Sequence, residues 1–166
     1  MTEVRSISVP VHLRLQAAAL AGDAAAVEHE LLAGAAVNQA DKDGATPLYA
    51  ACSHDRVECV KLLLAAHAVI DQAQKDGRTP LLIACNNDRV ECVKLLLAAH
   101  AATDQAENDG VTPLLIACNN DRVECVKLLL AANAATDQAE KDGATPLYVA
   151  CNNDRVECVK LLLAAH

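Results

Sequence analysis

Eight cysteines recur in pairs and are the first residues whose chemistry has to be considered. The two members of a pair are always seven positions apart, at Cys52 and Cys59, Cys85 and Cys92, Cys118 and Cys125, and Cys151 and Cys158. Structural zinc sites use Cys-x-x-Cys or a histidine at matching spacing, and neither occurs here. Free cysteine is among the most buried residue types, so we predict buried thiols that pack as small apolar groups. This favours a reducing, intracellular compartment, cytoplasmic or nuclear.

An aspartate and a glutamate also recur three positions apart, and paired carboxylates can act as general acid and base. The pairs are Asp55 and Glu58, Asp88 and Glu91, Asp121 and Glu124, and Asp154 and Glu157. The same spacing, when it precedes an apolar run, is also typical of a capping box at the start of a helix. Capping explains all four pairs at once. No nucleophile motif and no glycine-rich phosphate loop accompanies them. We therefore predict no enzymatic activity, no catalytic residue, no cofactor and no metal.

Histidines and arginines form two further ladders with about one member in each copy. The histidines are His67, His100 and His166, and the arginines are Arg56, Arg89, Arg122 and Arg155. One ion cannot bridge successive copies with metal–imidazole bonds of about 2.0–2.1 Å, so the histidines are better explained as residues at helix C-termini. The arginines could hold an acidic partner, but each lies among carboxylates, which favours solvated salt bridges.

Composition excludes two classes of partner. The net charge is −8 and the pI is about 5.1, so the basic surface that nucleic-acid binding requires is missing. No segment reaches the roughly 18 apolar residues of a membrane span, and the first ten residues lack the apolar run of a signal peptide. Apolar residues make up 53% of the chain and aromatic residues 1%, which predicts a core of Leu, Val, Ile, Ala and Cys.

The elements that position these residues repeat every 33 positions. The dipeptide Asp-Gly recurs at Asp43, Asp76, Asp109 and Asp142. A fixed period of this length is typical of a solenoid, in which each unit buries its apolar face against its neighbours. We divide the chain into a lead-in, residues 1–10, and one repeat domain, residues 11–166. Its units are repeat 1 (about 11–42, a divergent capping repeat), repeat 2 (43–75), repeat 3 (76–108), repeat 4 (109–141) and repeat 5 (142–166).

Each repeat predicts two helices and a turn, and therefore an all-α fold. In repeat 2, Thr46 is a good N-cap and Pro47 suits the first helical position. Asp55 is predicted to cap a second helix that begins near Val57, with Glu58 completing the capping box. In repeat 1 the two helices divide at Gly22-Asp23. The polar segment between one second helix and the next Asp-Gly is predicted to form a turn.

The repeated run of Thr-Pro-Leu, Ala-Cys and Val-Glu-Cys-Val-Lys-Leu-Leu-Leu, with Asp-Gly at period 33, resembles the ankyrin repeat family. The resemblance implies antiparallel helix pairs, β-turn fingers that project from them, and a curved solenoid with a concave binding surface. The family's glycine after the second helix is replaced here by His67, His100, Asn133 and His166. We expect these residues to adopt a left-handed backbone with modest strain and an intact fold.

The resemblance also implies a non-enzymatic protein–protein interaction module that binds its partner through the finger tips and the first-helix face. The tips would be Asp41, Lys42 and Ala45; Gln74, Lys75 and Arg78; Glu107, Asn108 and Val111; and Glu140, Lys141 and Ala144. The helix face would be Tyr49, Ala50, Ser53 and His54; Ile83, Asn86 and Asn87; Ile116, Asn119 and Asn120; and Tyr148, Val149, Asn152 and Asn153. Tyr and Arg are favoured at binding hot spots, which singles out Tyr49, Arg78 and Tyr148.

Two alternatives remain open from the sequence. Repeats 3 and 4 differ only at 78/111, 100/133 and 108/141, so the chain is either recently duplicated or an engineered, consensus-like scaffold with no natural ligand. Repeat 5 has no polar capping version of its second helix. Some of Val156, Val159, Leu162 and Leu163 should therefore be bare. This predicts end-to-end self-association of the chain, or a place within a longer array.

Overall fold

The computed structural model describes residues 13–165, and this part of the chain forms ten α-helices and no strand. The first helices of the five repeats are α1 (Arg14–Ala21), α3 (Pro47–Ser53), α5 (Pro80–Asn86), α7 (Pro113–Asn119) and α9 (Pro146–Asn152). The second helices are α2 (Ala24–Leu32), α4 (Val57–Ala65), α6 (Val90–Ala98), α8 (Val123–Ala131) and α10 (Val156–Ala164). The lead-in, residues 1–10, and His166 lie outside the described residues. The prediction of an all-α solenoid is confirmed.

The first helices begin as the sequence predicts. The hydroxyl of Thr46 accepts a hydrogen bond from the backbone N–H of Tyr49 at 3.1 Å, and Pro47 occupies the first turn. Thr79, Thr112 and Thr145 repeat this arrangement at the starts of α5, α7 and α9. A capping oxygen satisfies an N–H that the helix itself cannot pair, and proline has no N–H to satisfy. Three of these threonines are buried, so their caps belong to the core.

The predicted caps of the second helices are wrong. The residue before α4 is Arg56, whose side chain makes no capping hydrogen bond, and the same holds at α6, α8 and α10. Asp55 lies one residue earlier with a left-handed backbone at φ 57°. Its carboxylate accepts from the thiol of Cys92 in the next repeat, with Oδ1 and Sγ 3.5 Å apart. Glu58 pairs with Lys61 at 2.7 Å instead of completing a capping box.

Repeat 1 is the exception among the second helices. Asp23 does cap α2, since its carboxylate accepts from the backbone N–H of Ala26 at 3.0 Å. Gly22 supplies the left-handed residue that ends α1 at φ 82°. In repeat 1 the left-handed position and the capping position are therefore separate residues, Gly followed by Asp. In repeats 2–5 an aspartate occupies the left-handed position and an arginine follows it.

The residues that replace glycine after the second helices adopt the expected backbone. His67, His100 and Asn133 have φ of 59°, 64° and 60°, which confirms the prediction for the three that lie in the described chain. Asparagine, aspartate and histidine tolerate this region better than most side chains. His67 and His100 are both exposed at these turns. In residues 13–165 the structure holds no cluster of three or more metal-ligating side chains.

The helices stack in two rows. First helices pack on one another in chain order, second helices do the same, and the two helices of each repeat also pack together. The first-helix row is the closer packed, because fully buried alanines such as Ala51, Ala84 and Ala117 let the backbones approach. Closer packing along one row bends a stack toward that row, which agrees with the expected concave surface on the first-helix side. None of the helices within residues 13–165 has the length and apolar character needed to cross a bilayer.

Leucines and cysteines fill the space between the rows, as the composition predicts. Leu48, Leu81 and Leu114 are fully buried, and seven of the eight cysteines are buried free thiols. Cys151 is the exception because it faces beyond repeat 5, where the described chain provides no further layer. On this end face, Val156 and Leu163 are exposed as predicted, whereas Leu162 is fully buried. Leu162 matches Leu63, Leu96 and Leu129, which are buried in every copy.

Candidate partner-binding surface

The fingers that project beside the first helices are tight turns. In the finger between repeats 2 and 3, the backbone N–H of Gln74 donates to the carbonyl of Arg78 at 2.9 Å. The N–H of Gly77 donates back to the carbonyl of Gln74 at 3.0 Å. The fingers at Glu107–Val111 and Glu140–Ala144 repeat the first bond at 3.1 and 3.0 Å. Two bonds across so few residues fix the backbone of each finger tip.

Neighbouring fingers are joined to one another through the backbone. The N–H of Lys75 donates to the carbonyl of Asp43 at 3.0 Å, and the N–H of Asn108 donates to the carbonyl of Asp76 at 2.9 Å. A Cβ added at Gly77 would lie 2.7 Å from the backbone nitrogen of Asn108. Glycine is required there, both for this close approach and for its φ of 88°. The fingers consequently form one continuous edge along the concave side.

Several of the predicted tip residues pair with each other across fingers. The Nε of Arg78 donates to the carboxylate of Glu107 at 2.7 Å, and Glu107 is largely buried by the contact. The pKa of Arg78 is raised above its usual value, and the hydrogen bond to Glu107 is the largest cause. Asn108 donates through its side chain to the carbonyl of Lys75 at 3.0 Å. Arg78 and Glu107 therefore already have partners within the chain, whereas the side chains of Lys42 and Lys75 extend into solvent.

The predicted asparagines form a ladder that crosses the repeats. Asn120 donates through its side-chain nitrogen to the side-chain oxygen of Asn86 at 2.9 Å, and Asn153 donates to Asn119 in the same way at 2.9 Å. Asn86 and Asn119 also donate to the side chain that follows each of them. Each of these asparagines is half-buried. Their amides stabilise the stack, and their contact with a partner stays a prediction.

The arginine ladder reinforces the same layers and does not form the expected salt bridges. The Nε of Arg122 donates to the carbonyl of Asn86 at 3.3 Å, and Arg155 donates to Asn119 at 3.2 Å. In repeat 2, Arg56 donates to the carbonyl of Leu20 at 3.1 Å. Each of these three arginines thus satisfies a carbonyl near the end of the preceding repeat's first helix. The interpretation as a solvated salt-bridge ladder is wrong because the guanidinium groups turn toward the neighbouring repeat.

Arg89 is the one arginine of the ladder that departs from this pattern. Its Nε is buried and finds no hydrogen-bond partner in the described chain. The carbonyl it would use, that of Ser53, accepts from the side chain of Asn87 at 3.1 Å instead. In the next two layers the corresponding asparagine donates to a side-chain oxygen of Asn86 or Asn119, which leaves the carbonyl for arginine. Serine has no amide oxygen to offer, so one donor in this layer is left over.

The predicted residues differ widely in accessibility. Those exposed are Lys42, His54, Lys75, Arg78, Asn108, Lys141, Tyr148 and Asn152. Those half-buried are Gln74, Asn86, Asn87, Glu107, Val111, Ile116, Asn119, Asn120, Glu140 and Asn153. Those buried are Tyr49, Ile83 and Val149. Burial raises the pKa of Tyr49 to about 12, and the charge of Asp76 adds to the effect.

A groove of about 820 Å³ lies on the concave side at repeats 1 and 2. We call it the N-terminal groove. It is lined by Leu13, Gln16, Ala17 and Leu20 of the α1 region, by Gln39, Ala40, Asp41, Lys42 and Ala45 of the first finger, and by Tyr49, Ala50, Ser53 and His54 of the α3 region. Ligand sites typically have volumes of about 300–1,000 Å³, so the groove has the size of a binding site. Seven of the lining residues are predicted contact residues: Asp41, Lys42 and Ala45 at the finger tip, and Tyr49, Ala50, Ser53 and His54 on the helix face.

Two polar groups in the groove have defined states. The side chain of Gln16 donates to Asp41 Oδ2 at 2.9 Å, and Oδ1 accepts from the N–H groups of Asp43 and Ala45, both at 2.9 Å. Burial opposes ionisation of Asp41, but these hydrogen bonds outweigh it and hold its pKa below the usual value. His54 Nδ1 lies 3.2 Å from the carbonyl of Ala50, and because a carbonyl can only accept, Nδ1 is the donor in this contact.

Sequence reasoning missed the part of the groove that the α1 region provides. The helices of repeat 1 were interpreted only as a capping unit, so Leu13, Gln16, Ala17 and Leu20 received no role in binding, although Asp41 and Lys42 of the same repeat were predicted at a finger tip. The signal was present in the register: positions 17, 50, 83, 116 and 149 are equivalent and read Ala, Ala, Ile, Ile and Val. The groove lies where the two small residues stand.

Comparison with known proteins agrees with the architecture. A family model described as ankyrin repeats (3 copies) matches residues 15–108 and 99–166. No curated protein is detectably similar to the chain. The family match spans nearly the whole chain, and it coincides with the stacked helix pairs and joined fingers of the structure. The chain belongs to the ankyrin repeat family.

Proposed function

We propose that the chain is a non-enzymatic scaffold that binds a protein partner through its finger tips and its concave first-helix face. Ankyrin repeats are generally protein-interaction modules and are typically non-enzymatic. The observation that carries the proposal for this chain is the N-terminal groove of about 820 Å³ beside a row of exposed tip lysines. A rigid row of fingers next to a groove favours binding because little conformational entropy is lost on association.

The tip lysines and the lysines of the second helices provide a matched pair of surfaces. Lys42, Lys75 and Lys141 are exposed on the fingers, and Lys61, Lys94 and Lys127 are exposed on α4, α6 and α8. We would change each set to glutamine in a triple variant, so that the change in charge is the same on both. Partners captured from lysate by wild type and both variants are then quantified by mass spectrometry.

The tip variant should lose a captured partner at least about tenfold, because removing charges from an interface weakens it by more than removing charges elsewhere. The second-helix variant should keep that partner. Equal retention by both variants, with unchanged folding by circular dichroism, would show that the fingers are not the binding surface.

The location of the protein is part of the proposal. We place it inside the cell, in a reducing compartment, because all eight cysteines are free, seven of them are buried, and the thiols of Cys92, Cys125 and Cys158 donate to aspartates of the preceding repeat. Fractionation followed by thiol labelling under native and denaturing conditions tests this. Labelling of eight thiols only after chemical reduction would contradict it.

The second candidate function is an engineered or consensus-like scaffold with no natural ligand. Repeats 3 and 4 differ at three positions, which favours either recent duplication or deliberate construction. Comparing the coding DNA of the two repeats separates these origins. Near-identical codons indicate duplication, and independent codon choices for the same residues indicate construction at the protein level.

A further inference from the structure

The N-terminal groove exists because of two alanines at a position that is larger elsewhere in the stack. Ala17 and Ala50 line it, whereas the equivalent residues in repeats 3, 4 and 5 are Ile83, Ile116 and Val149. An isoleucine exceeds an alanine by three carbon atoms, so each substitution of this kind leaves room for a foreign group. In repeats 3 and 5 this position is filled from within the chain by Ile83 and Val149, each 8% exposed, whereas Ala17 is half-buried and Ala50, 5% exposed, lines the floor of the groove.

The walls of this space are mainly apolar. Leu13, Ala17 and Leu20 come from the α1 region, Ala45 from the first finger, and Ala50 from α3. Leu20 is 44% exposed, which is uncommon for a leucine on a first helix of this stack. Water in such a recess is easily displaced by an apolar side chain, and burial of one Leu- or Phe-sized side chain contributes about 1.5–3 kcal/mol to affinity.

The recess has one carboxylate and one ammonium group among its lining residues, at Asp41 and Lys42, and Asp43 follows on the same finger. The hydrogen bonds to Asp41 lower its pKa and favour its ionised form. Oδ2 of Asp41 accepts one hydrogen bond, from Gln16, and a carboxylate oxygen has a second lone-pair site. A lysine or arginine of a ligand placed there would form a charge-assisted hydrogen bond, the stronger class. The net charge of −8 also attracts a basic segment toward the protein at long range.

We infer that the N-terminal groove binds an extended segment of a protein partner that places one bulky apolar side chain against Ala17 and Ala50 and a basic side chain at Asp41. This inference rests on the proposed function and specifies the partner's chemistry. The apolar side chain provides most of the affinity, and the basic residue sets the direction in which the segment lies.

The test uses the whole chain and a library of nine-residue peptides. The central residue is fixed as Leu, Phe or Ala, a second fixed position is Lys or Glu, and the remaining positions are randomised. Wild type should select peptides with central Leu or Phe over central Ala, and Lys over Glu. Selected peptides are then synthesised with a fluorescent label, and Kd is measured by fluorescence polarisation.

The chain itself supplies the variants. Ala50→Ile introduces the residue that repeats 3 and 4 carry at this position, so the fold tolerates it elsewhere in the same stack. It should weaken binding by at least about tenfold, because the apolar side chain of the peptide loses its recess. Ala17→Val is the second variant should Ala50→Ile lower the melting temperature. Ala98→Ile makes the same change at an exposed position of α6, outside the groove and the proposed binding face, and should leave Kd within about twofold.

Asp41→Asn tests the basic contact separately. It should remove the preference for Lys over Glu and leave the preference for a central Leu or Phe. A wild-type chain that selects no peptide, or an Ala50→Ile chain with unchanged Kd, overturns the inference. A dimer of wild type, seen by light scattering without peptide and lost in Ala50→Ile, would identify a second copy as the occupant and overturn it as well.

The outcome is separable from that of the proposed function. Suppose that capture of a protein partner depends on the tip lysines, but that the partner binds Ala50→Ile as tightly as wild type. The scaffold function is then supported and the recess is ruled out as a binding site. If the tip-lysine variant captures partners as well as wild type does, while peptides still bind the groove, the finger surface is ruled out and the recess is supported.

Discussion

Repeats 2 and 5 have almost the same sequence and different surroundings. Both open with Asp-Gly-Ala-Thr-Pro-Leu-Tyr, yet Tyr49 is 8% exposed and Tyr148 is 62% exposed. Cys52 is fully buried, while the equivalent Cys151 is exposed. The difference arises because one face of a repeat is covered only by the repeat that follows it. An internal repeat therefore buries side chains on both of its faces, whereas the last described repeat buries them on one face only.

The largest expected effect compares one leucine position in repeats 4 and 5. Leu114 is fully buried and Leu147 is half-buried at the same register. We expect Leu114→Ala to lower the free energy of unfolding by about 2–5 kcal/mol, and Leu147→Ala by roughly half of that or less. Urea denaturation followed by circular dichroism measures both. Equal losses would mean that the end layer is covered in solution, which is the expected mark of self-association.

The next comparison concerns the fingers. Gly77→Ala should cost about 2–4 kcal/mol, because it adds a clash with the backbone of Asn108 to the strain of a left-handed residue. Gly143 has φ 82°, but a Cβ there meets nothing within 4 Å, so Gly143→Ala should cost only about 1 kcal/mol. Hydrogen exchange at the N–H of Asn108 provides a local measurement. If the two variants are equally stable, the fingers do not hold the close approach seen between Gly77 and Asn108.

The buried thiols make the internal layers sensitive to high pH. Burial raises the pKa of Cys118 from 9.0 to about 12. A raised folded-state pKa means that the stabilisation is complete below pH 9 and is lost as the pH rises toward 12. Between pH 9 and 10, the free energy of unfolding of Cys118→Ala should fall less steeply than that of wild type, by up to about 1.4 kcal/mol per pH unit. Urea titrations at a series of pH values check this, and parallel curves for the two proteins would contradict it.

The smallest effect separates one internal layer from the others. Ser53→Asn would give Asn87 a side-chain oxygen to bond to and release the Ser53 carbonyl for the unpaired Nε of Arg89. Satisfying a buried donor should stabilise the chain by about 1 kcal/mol. Ser53→Ala offers no oxygen and serves as the control, with no gain expected. A thermal melt resolves the two variants, and an unchanged midpoint for Ser53→Asn would show that the donor is already satisfied by water.

The groove shows how much of a binding site can be predicted from the sequence alone. Lys42, Tyr49 and His54 were predicted from family resemblance, and they do line it. The apolar wall from α1 was missed, because a terminal repeat departs from the repeat pattern and its departures resemble those of any cap. Tyr49 was predicted as a contact residue, but it is only 8% exposed, with Asp76 and Arg78 of the following finger near its hydroxyl. Accessibility of a residue depends on the neighbouring layer, and a single repeat's sequence does not describe that layer.

The sequence by itself determined the period, the two helices of each repeat, the Thr-Pro caps and the left-handed turns at His67 and His100. These features depend on contacts within a few residues, where side-chain type decides the local backbone. Only the tertiary structure decided the partners of Asp55, Arg122 and Asn86, which lie one repeat away. The spacing of Asp55 and Glu58 fitted a local cap equally well. The contact between repeats prevailed because a left-handed aspartate directs its carboxylate out of its own helix and toward the next layer.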